Sequence, residues 1–161
     1  MTNTIKHFTG DIFTSTADAI LISVDGDHRK LVGAVGQQLI KKIDDDREWK
    51  RLIEKVDYPI HAGHARVMDL QDVPEAGFKF AILVSMFNHH NQKLYLRQGF
   101  HNALALAANW GIKTVATVAA HGGWRGDIDG ATEPLIQACA EVPRVSVELW
   151  ERAARGAPVA G

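Results

Sequence analysis

The sequence predicts an α/β fold: a three-layer α/β/α sandwich around a mixed, largely parallel central sheet. The first observation is that strand-like apolar stretches alternate along the chain with helix-like amphipathic ones, which is typical of helices packed on both faces of such a sheet. The second is length, because 161 residues fit one domain with a single core. The third is composition, since 46% of the residues are hydrophobic and 23% are charged, as in ordinary globular proteins.

Four elements are predicted in the first part of the chain. Residues 5–8 form a short strand, and residues 19–24 form a buried strand because they are a compact apolar run rich in β-branched side chains. Residues 33–43 form a helix whose apolar side chains recur at helical spacing on one face. A second helical face follows over residues 49–56.

The rest of the chain continues the alternation. Residues 65–70 alternate in hydropathy like a half-buried strand, and residues 95–110 form a long amphipathic helix that ends at Gly111. Pro134 is placed in the first turn of the last helix, where proline is tolerated. The remaining predicted elements are strands over residues 78–86, 114–120 and 144–150 and a helix over residues 133–141.

Charge and cysteine content narrow the class of protein. The net charge of −1 gives no support for nucleic-acid binding, although nucleic acid stays open as a partner. The single cysteine, Cys139, rules out an intrachain disulfide. The N-terminus lacks the layout of a signal peptide, and no apolar run approaches the ~20 residues of a membrane span. We expect one domain over residues 1–152, a flexible tail over residues 153–161, no membrane partner and a cytoplasmic location.

A glycine-rich loop comes directly after the strand predicted at residues 114–120. Glycines let the backbone approach a ligand and turn N–H groups toward an anion such as a diphosphate, and Arg125 adds a charge-assisted contact. The alternative is a tight turn in which Trp124 covers the core. The candidate ligand-binding residues are His121, Gly122, Gly123, Trp124, Arg125 and Gly126.

Two further segments have the chemistry of a nucleotide site. Gly33 and Gly36 open a helix, so that they present backbone N–H groups to a phosphate, or else they allow close helix–strand packing. Asp11 is suited to accept from the exocyclic amine of adenine while the Ile12 N–H meets a ring nitrogen; the alternative for Asp11 is a turn or N-cap residue.

In order and spacing these segments resemble the macro domains, over nearly the whole chain. The family pattern G-D-I-T falls on residues 10–13, and D-A-I-V-N-A-A-N falls on residues 18–25. The family's glycine run with V-D-G falls on residues 30–36, and S-T-G-x-F-G falls on residues 121–126. The resemblance implies a cleft for ADP-ribose or a related nucleotide, with adenine at Asp11 and Ile12 and the diphosphate between the two glycine loops. In the first of these loops Val35 is also a predicted ligand contact.

The same resemblance suggests an aromatic side chain against adenine or its ribose. Trp150, at the end of the last predicted strand, falls near that place. The alternative is that Trp150 belongs to the core.

The departures from the family pattern fall on its catalytic side. Ile22 and Asp25 replace the two asparagines of N-A-A-N, and Val35 replaces the acidic residue implicated in water activation. A valine neither takes a proton nor orients water, so we expect the usual hydrolysis to be lost. Asp25 also brings negative charge toward a diphosphate, which Arg29 or Lys30 would have to offset.

Three functions follow from these observations. The first is a module that binds ADP-ribose, free or on a modified protein. The second is an ADP-ribosyl hydrolase with non-standard catalytic residues, Asp25 and His28, with Asp27 as an alternative partner for His28. The third is a macro-like scaffold that has lost the ligand.

The eight histidines raise the question of a metal site. His61 and His64 are three apart and residues 89 and 90 are adjacent, but neither pair forms a known metal motif. We therefore expect no metal and no cofactor.

Overall fold

A six-stranded mixed sheet organises the fold. The computed structural model describes residues 5–31, 33–88, 90–91, 93–118 and 128–151. The strands are β1 (Lys6–Thr9), β2 (Ala19–Ser23), β3 (Ala65–Asp69), β4 (Phe80–Val84), β5 (Phe87–Asn88), β6 (Lys93–Leu94), β7 (Thr114–Val118) and β8 (Ser146–Glu151). The helices are α1 (Ala34–Ile43), α2 (Asp46–Glu54), α3 (Leu96–Asn109) and α4 (Ile128–Glu141).

The strand order places the ends of the parallel strands side by side. The order in the main sheet is β1-β8-β7-β2-β4-β3, and β5 pairs with β6 in a separate hairpin. All neighbouring pairs in the main sheet are parallel except β3 with β4. The carboxyl ends of β1, β8, β7, β2 and β4 therefore meet at one edge, where ligands bind in open α/β sheets.

The helices cover the two faces of the sheet in pairs. Ile20 and Ile22 of β2 pack into the core under α1 and α2, while Ala19 and Leu21 pack into the core under α3 and α4. This division follows from the strand period of two, because successive side chains point to opposite faces. The predicted three-layer sandwich is confirmed.

Two features of the fold differ from the sequence prediction. The last helix begins at Ile128, so Pro134 lies inside it and the prediction of a first-turn proline is wrong. In the sequence, a regular apolar face of this helix is visible only from about residue 135, so the earlier turns were not predicted. The two-residue strands of the hairpin are too short for a hydropathy period to reveal them.

Within the described part of the chain, no helix is long and apolar enough to cross a bilayer.

Cys139 lies on α4 and is buried in the core that α3, α4 and the sheet share. This burial raises the pKa of its thiol to about 11.

Candidate functional site

The N-terminus of α1 lies at the edge where the parallel strands end. Its N-cap is Gly33, which has no side chain to accept a hydrogen bond, and the first turn contains no acidic residue. The Gly33 carbonyl accepts from Gln37 N at 2.9 Å, so the N–H groups of the three residues between them have no intrahelical acceptor. With the partial positive charge of the helix dipole, this is a place suited to an anion.

Gly36 has a packing role in addition to its place in this turn. A Cβ at Gly36 would lie 2.6 Å from the Cβ of Leu31, which is fully buried in the loop before α1. The alternative to phosphate binding was close packing of the helix on a strand. The close contact in the structure is instead with the loop before α1. Val35 is partly buried against the same core. A phosphate contact from Gly36 or Val35 stays a prediction.

Asp11 is held in place from two sides. Its Oδ1 accepts from Phe13 N at 2.9 Å, which caps the short 3-10 turn Ile12–Thr14. The Nε2 of Gln38, in the second turn of α1, donates to Oδ1 and Oδ2 at 3.2 and 3.3 Å. The carboxylate is exposed and keeps acceptor capacity, since an ionised carboxylate has about four lone-pair sites. The capping role proposed as the alternative is present, and it leaves Asp11 open to a ligand.

Ile12 supplies a backbone donor beside that carboxylate. Its side chain is buried, while its N–H makes no hydrogen bond to any other described residue. An acceptor and a donor in adjacent positions match the adenine edge in hydrogen-bonding type.

Trp150 lies beneath this corner of the molecule. It is 8% exposed and stacks on Phe8 at a centroid separation of 4.7 Å. Its Nε1 donates to Glu148 Oε1 at 3.0 Å. Burial and these contacts fit the core alternative for Trp150, whereas Phe8 is the more exposed ring of the pair. Contact between Trp150 and a ligand stays a prediction.

The loop after β2 is fixed by backbone contacts. Gly26 accepts from Ile60 N at 2.8 Å, and Asp25 Oδ1 accepts from Asp27 N at 3.0 Å. The Arg29 guanidinium donates to Ile53 O at 3.0 Å at the end of α2 and lies 5.0 Å from the centroid of the Tyr58 ring. Arg29 therefore stabilises the C-terminal end of α2, because its positive charge lies beside the last carbonyl groups of that helix.

The Tyr58 hydroxyl is part of the same anchor. It is buried with no hydrogen-bond partner among the described residues, and burial raises its pKa. Tyr58 thus contributes its ring face to Arg29 and stays neutral at physiological pH.

A cavity of about 290 Å³ opens beside Asp25 at the carboxyl ends of β2 and β4. Its walls come from the loop after β2, the segment after α2, and the end of β4 with the hairpin that follows. The polar residues that line it are Asp25, Asp27, His61, Ser85, Asn88 and His90. From the sequence, Asp25 and Asp27 are candidates for catalysis, whereas His61 and His90 are candidates only for metal binding.

His28 is exposed and does not line this cavity. The pairing of Asp25 with His28 stays a prediction, while the structure brings His61 and His90 to the same cavity as Asp25. The described residues contain no cluster of three or more metal-ligating side chains. Residues 121–126, with the second predicted phosphate loop, lie outside the described residues.

A larger groove, of about 550 Å³, runs along the outer edge of β3 between α2 and α3. Charged side chains of both signs line it: Arg51, Lys55 and Arg66, and Asp57, Asp69 and Asp72. It lies at the sheet edge and not at the carboxyl ends of the parallel strands. It has neither the open helix N-terminus nor the adenine-type donor and acceptor, so we place the candidate site at the strand ends.

Comparison with known proteins identifies the fold. No protein-family model matches the chain, and neither does any curated protein. Among solved structures, the macrodomain of Mycobacterium tuberculosis DarG matches with a TM-score of 0.73 at 17% identity, over 94% of this chain and 99% of that one. The Oceanobacillus iheyensis macrodomain with ADP matches with a TM-score of 0.70 at 14% identity, over 97% and 89%. The Trypanosoma brucei macrodomain in complex with ADP-ribose gives 0.68 at 12% identity, over 92% and 63%.

These likenesses define the class of protein by its fold. The chain has the macrodomain fold over nearly its whole length, which confirms the resemblance predicted from the sequence. At identities this low the likeness defines the architecture, and the function has to be argued from the site.

Proposed function

We propose that the protein binds ADP-ribose, or a closely related adenine nucleotide, along the carboxyl ends of β1, β8, β7 and β2. The observation that carries this proposal is the N-terminus of α1, which is open to an anion and lies one helical turn from the glutamine that holds Asp11. The acceptor for adenine, Asp11, is thus hydrogen bonded to the same helix, α1, whose N-terminus offers the donors for a diphosphate. Two structural neighbours, with ADP and with ADP-ribose, support the choice of ligand.

The dimensions of the sheet fit a ligand of this length. From β1 to β2 there are three strand spacings, which at ~4.8 Å each amount to ~14 Å. Asp11 follows β1 and Asp25 follows β2, so the adenine end and the distal ribose would lie at opposite ends of this span. In this arrangement the diphosphate lies between them, at the N-terminus of α1.

Calorimetric titration with ADP-ribose tests the proposal, with ADP, AMP and NAD as comparisons. Saturable binding that is tightest for the ligands with a diphosphate is the expected result. No heat and no thermal shift at millimolar ligand would contradict it and would favour a macro-like scaffold without a nucleotide.

We expect Asp11→Asn to weaken ADP-ribose binding about tenfold or more. The asparagine carbonyl still caps Phe13 N, but the amide presents a donor where adenine needs an acceptor, and a hydrogen bond to a charged group contributes about 1.5–3 kcal/mol. The affinity is measured by calorimetry and the fold by thermal unfolding.

Asp45→Asn is the matched control. Asp45 caps α2 in the same way, accepting from Arg47 N and Glu48 N at 3.0 and 3.1 Å, and lies at the far end of α1 from the proposed diphosphate site. Equal affinity loss in both variants would mean that the effect of Asp11 is structural.

Hydrolysis of an ADP-ribosyl bond is the second candidate, and one observation favours it. Asp25 lines a cavity with His61 and His90, so residues able to act as general acid or base line the place where the distal ribose would end. If an ADP-ribosylated protein is turned over, we expect Asp25→Asn to lower the rate about 100-fold, as for loss of a general acid or base.

The histidines separate two forms of this mechanism. His61→Ala is expected to lower the rate more than His28→Ala, because His61 lines the cavity and His28 does not. A larger loss of rate in His28→Ala than in His61→Ala would instead favour the mechanism in which His28 acts with Asp25. Binding without turnover would leave recognition as the function.

A further inference from the structure

We propose that the 290 Å³ cavity beside Asp25 binds a positively charged nitrogen group, a guanidinium or an amine, joined to the distal ribose of the bound nucleotide. The inference rests on the proposed function, because the cavity receives what is attached to ADP-ribose and not ADP-ribose itself. It names the class of modified side chain that the protein recognises.

The position of the cavity follows from the strand order. The proposed ligand runs from β1 to β2, and the next strand is β4. The cavity lies at the carboxyl ends of β2 and β4, so it continues the cleft by one strand spacing, ~5 Å, beyond the distal ribose. A group attached at the far carbon of that ribose would enter it.

The charge of the lining favours a cation. Asp25 and Asp27 contribute carboxylates, which accept hydrogen bonds and do not donate when ionised. No lysine or arginine is among the described residues that line the cavity, and the neighbouring Arg29 is bound to the end of α2. An aromatic residue in the lining, Phe87, also suits a cation better than an anion.

Ser85 is an independent sign that the cavity takes a polar ligand. It is one of the buried polar residues, with 2% of its surface exposed, and it lines the cavity at the end of β4. Its N–H and C=O are hydrogen bonded to His64 O and Gly63 N, but its hydroxyl makes no hydrogen bond among the described residues. A hydroxyl at the cavity wall with no partner among the described residues is able to donate to or accept from a ligand.

The size of the cavity limits the group to a side-chain head. Sites for drug-sized ligands start at about 300 Å³, so 290 Å³ takes a guanidinium or an amine with a few carbons but not a second nucleotide. Several N–H donors on one small group would meet both carboxylates and the Ser85 hydroxyl.

The test compares two ligands that differ only in the group at the anomeric carbon. One is ADP-ribosylated agmatine, which carries a guanidinium, and the other is ADP-ribose with a neutral O-methyl group. The wild-type protein is expected to bind the guanidinium ligand at least about tenfold more tightly, in line with hydrogen bonds to a charged group. The readout is the ratio of the two dissociation constants.

Asp27→Asn and Ser85→Ala are expected to bring this ratio close to one. Asp27 is exposed and its substitution keeps the backbone hydrogen bond to Asp25, so the variant folds even if loss of the Ser85 hydroxyl disturbs the core. Asp57→Asn, an exposed aspartate in the β3 groove, is the control and should keep the wild-type ratio.

The outcomes separate the inference from the proposed function. Tight binding of both ligands with a ratio near one in the wild type would overturn the inference and leave ADP-ribose binding intact. A ratio unchanged by Asp27→Asn and Ser85→Ala would also overturn it. Binding of neither ligand would remove the proposed function and the inference with it.

Discussion

Replacing Gly33 with aspartate is expected to stabilise the free protein while weakening nucleotide binding about a hundredfold. Gly33 has φ −74° and ψ 163°, the extended conformation of an N-cap residue that any side chain adopts. A Cβ there meets no described atom within 4 Å. The new carboxylate would accept from the open N–H groups of the first turn, and with the helix dipole this is worth about 0.5–1 kcal/mol.

The same carboxylate would compete with the ligand. It occupies the donors that we assign to the diphosphate and places a negative charge within a few ångströms of it. Two unit charges ~4 Å apart at an effective dielectric constant of ~20 repel by ~4 kcal/mol, so a hundredfold loss of affinity is a conservative expectation.

Urea unfolding of the free protein and calorimetric titration with ADP-ribose measure the two effects. Gly33→Ala is the matched control, because it adds the Cβ without an oxygen and leaves the N–H groups open. A general disturbance of the fold would lower both the unfolding free energy and the affinity. A higher unfolding free energy together with a lower affinity would therefore indicate a specific effect at the helix N-terminus. Wild-type affinity in Gly33→Asp would show that the anion does not bind at the N-terminus of α1.

The elements of the fold were predictable where hydropathy periods are long. The buried run of β2 and the amphipathic faces of α1 and α3 are visible in the sequence because burial on one side selects apolar residues at a fixed period. The start of α4 was not, because the turns before Pro134 carry few apolar side chains.

The site was predictable only as far as its parts lie close in sequence. Gly33 and Asp11 each belong to a local turn, so their chemistry could be inferred from a few neighbouring residues. The cavity beside Asp25 is assembled from three segments that are distant in sequence, by the pairing of β2 with β4 and by the contact of Gly26 with Ile60. Nothing local pairs Asp25 with His61 or Ser85, whereas His28 is near in sequence and was chosen for that reason.

The counter-charge for the diphosphate could not be predicted reliably either, because proximity in the chain does not fix where a side chain binds. The sequence places Arg29 close to Asp25, and proximity in the chain favoured it as a counter-ion for the diphosphate. In the structure its guanidinium caps the carbonyl end of α2 and packs on the Tyr58 ring. The Arg29 guanidinium is used to hold the loop, which leaves the exposed Lys30 and the helix N-terminus as the features of this loop that would attract an anion.

Replacing Gly26 with alanine is expected to cause the largest loss of stability of any single change considered for this loop. A Cβ at Gly26 would lie 1.7 Å from the carbonyl oxygen of Ile60 and 2.7 Å from its carbonyl carbon, both backbone atoms that cannot rotate away. The two segments would have to separate, breaking the 2.8 Å hydrogen bond from Ile60 N to Gly26 O and loosening the buried Ile60 side chain. Overpacking and the lost hydrogen bond together amount to about 3 kcal/mol.

The unfolding free energy from urea titration checks this expectation, with Gly33→Ala in the same loop as the steric control. The control should stay within about 0.5 kcal/mol of the wild type, since its Cβ meets no described atom within 4 Å. Equal stability of the two variants would show that the loop after β2 does not rest on the segment after α2. Because Gly26 and Ile60 both line the cavity, separating them should also abolish the preference for a guanidinium ligand before it affects binding of ADP-ribose, whose proposed contacts lie on α1 and at Asp11. A Gly26→Ala protein that still folds would thus report on the loop and on the cavity in one measurement series.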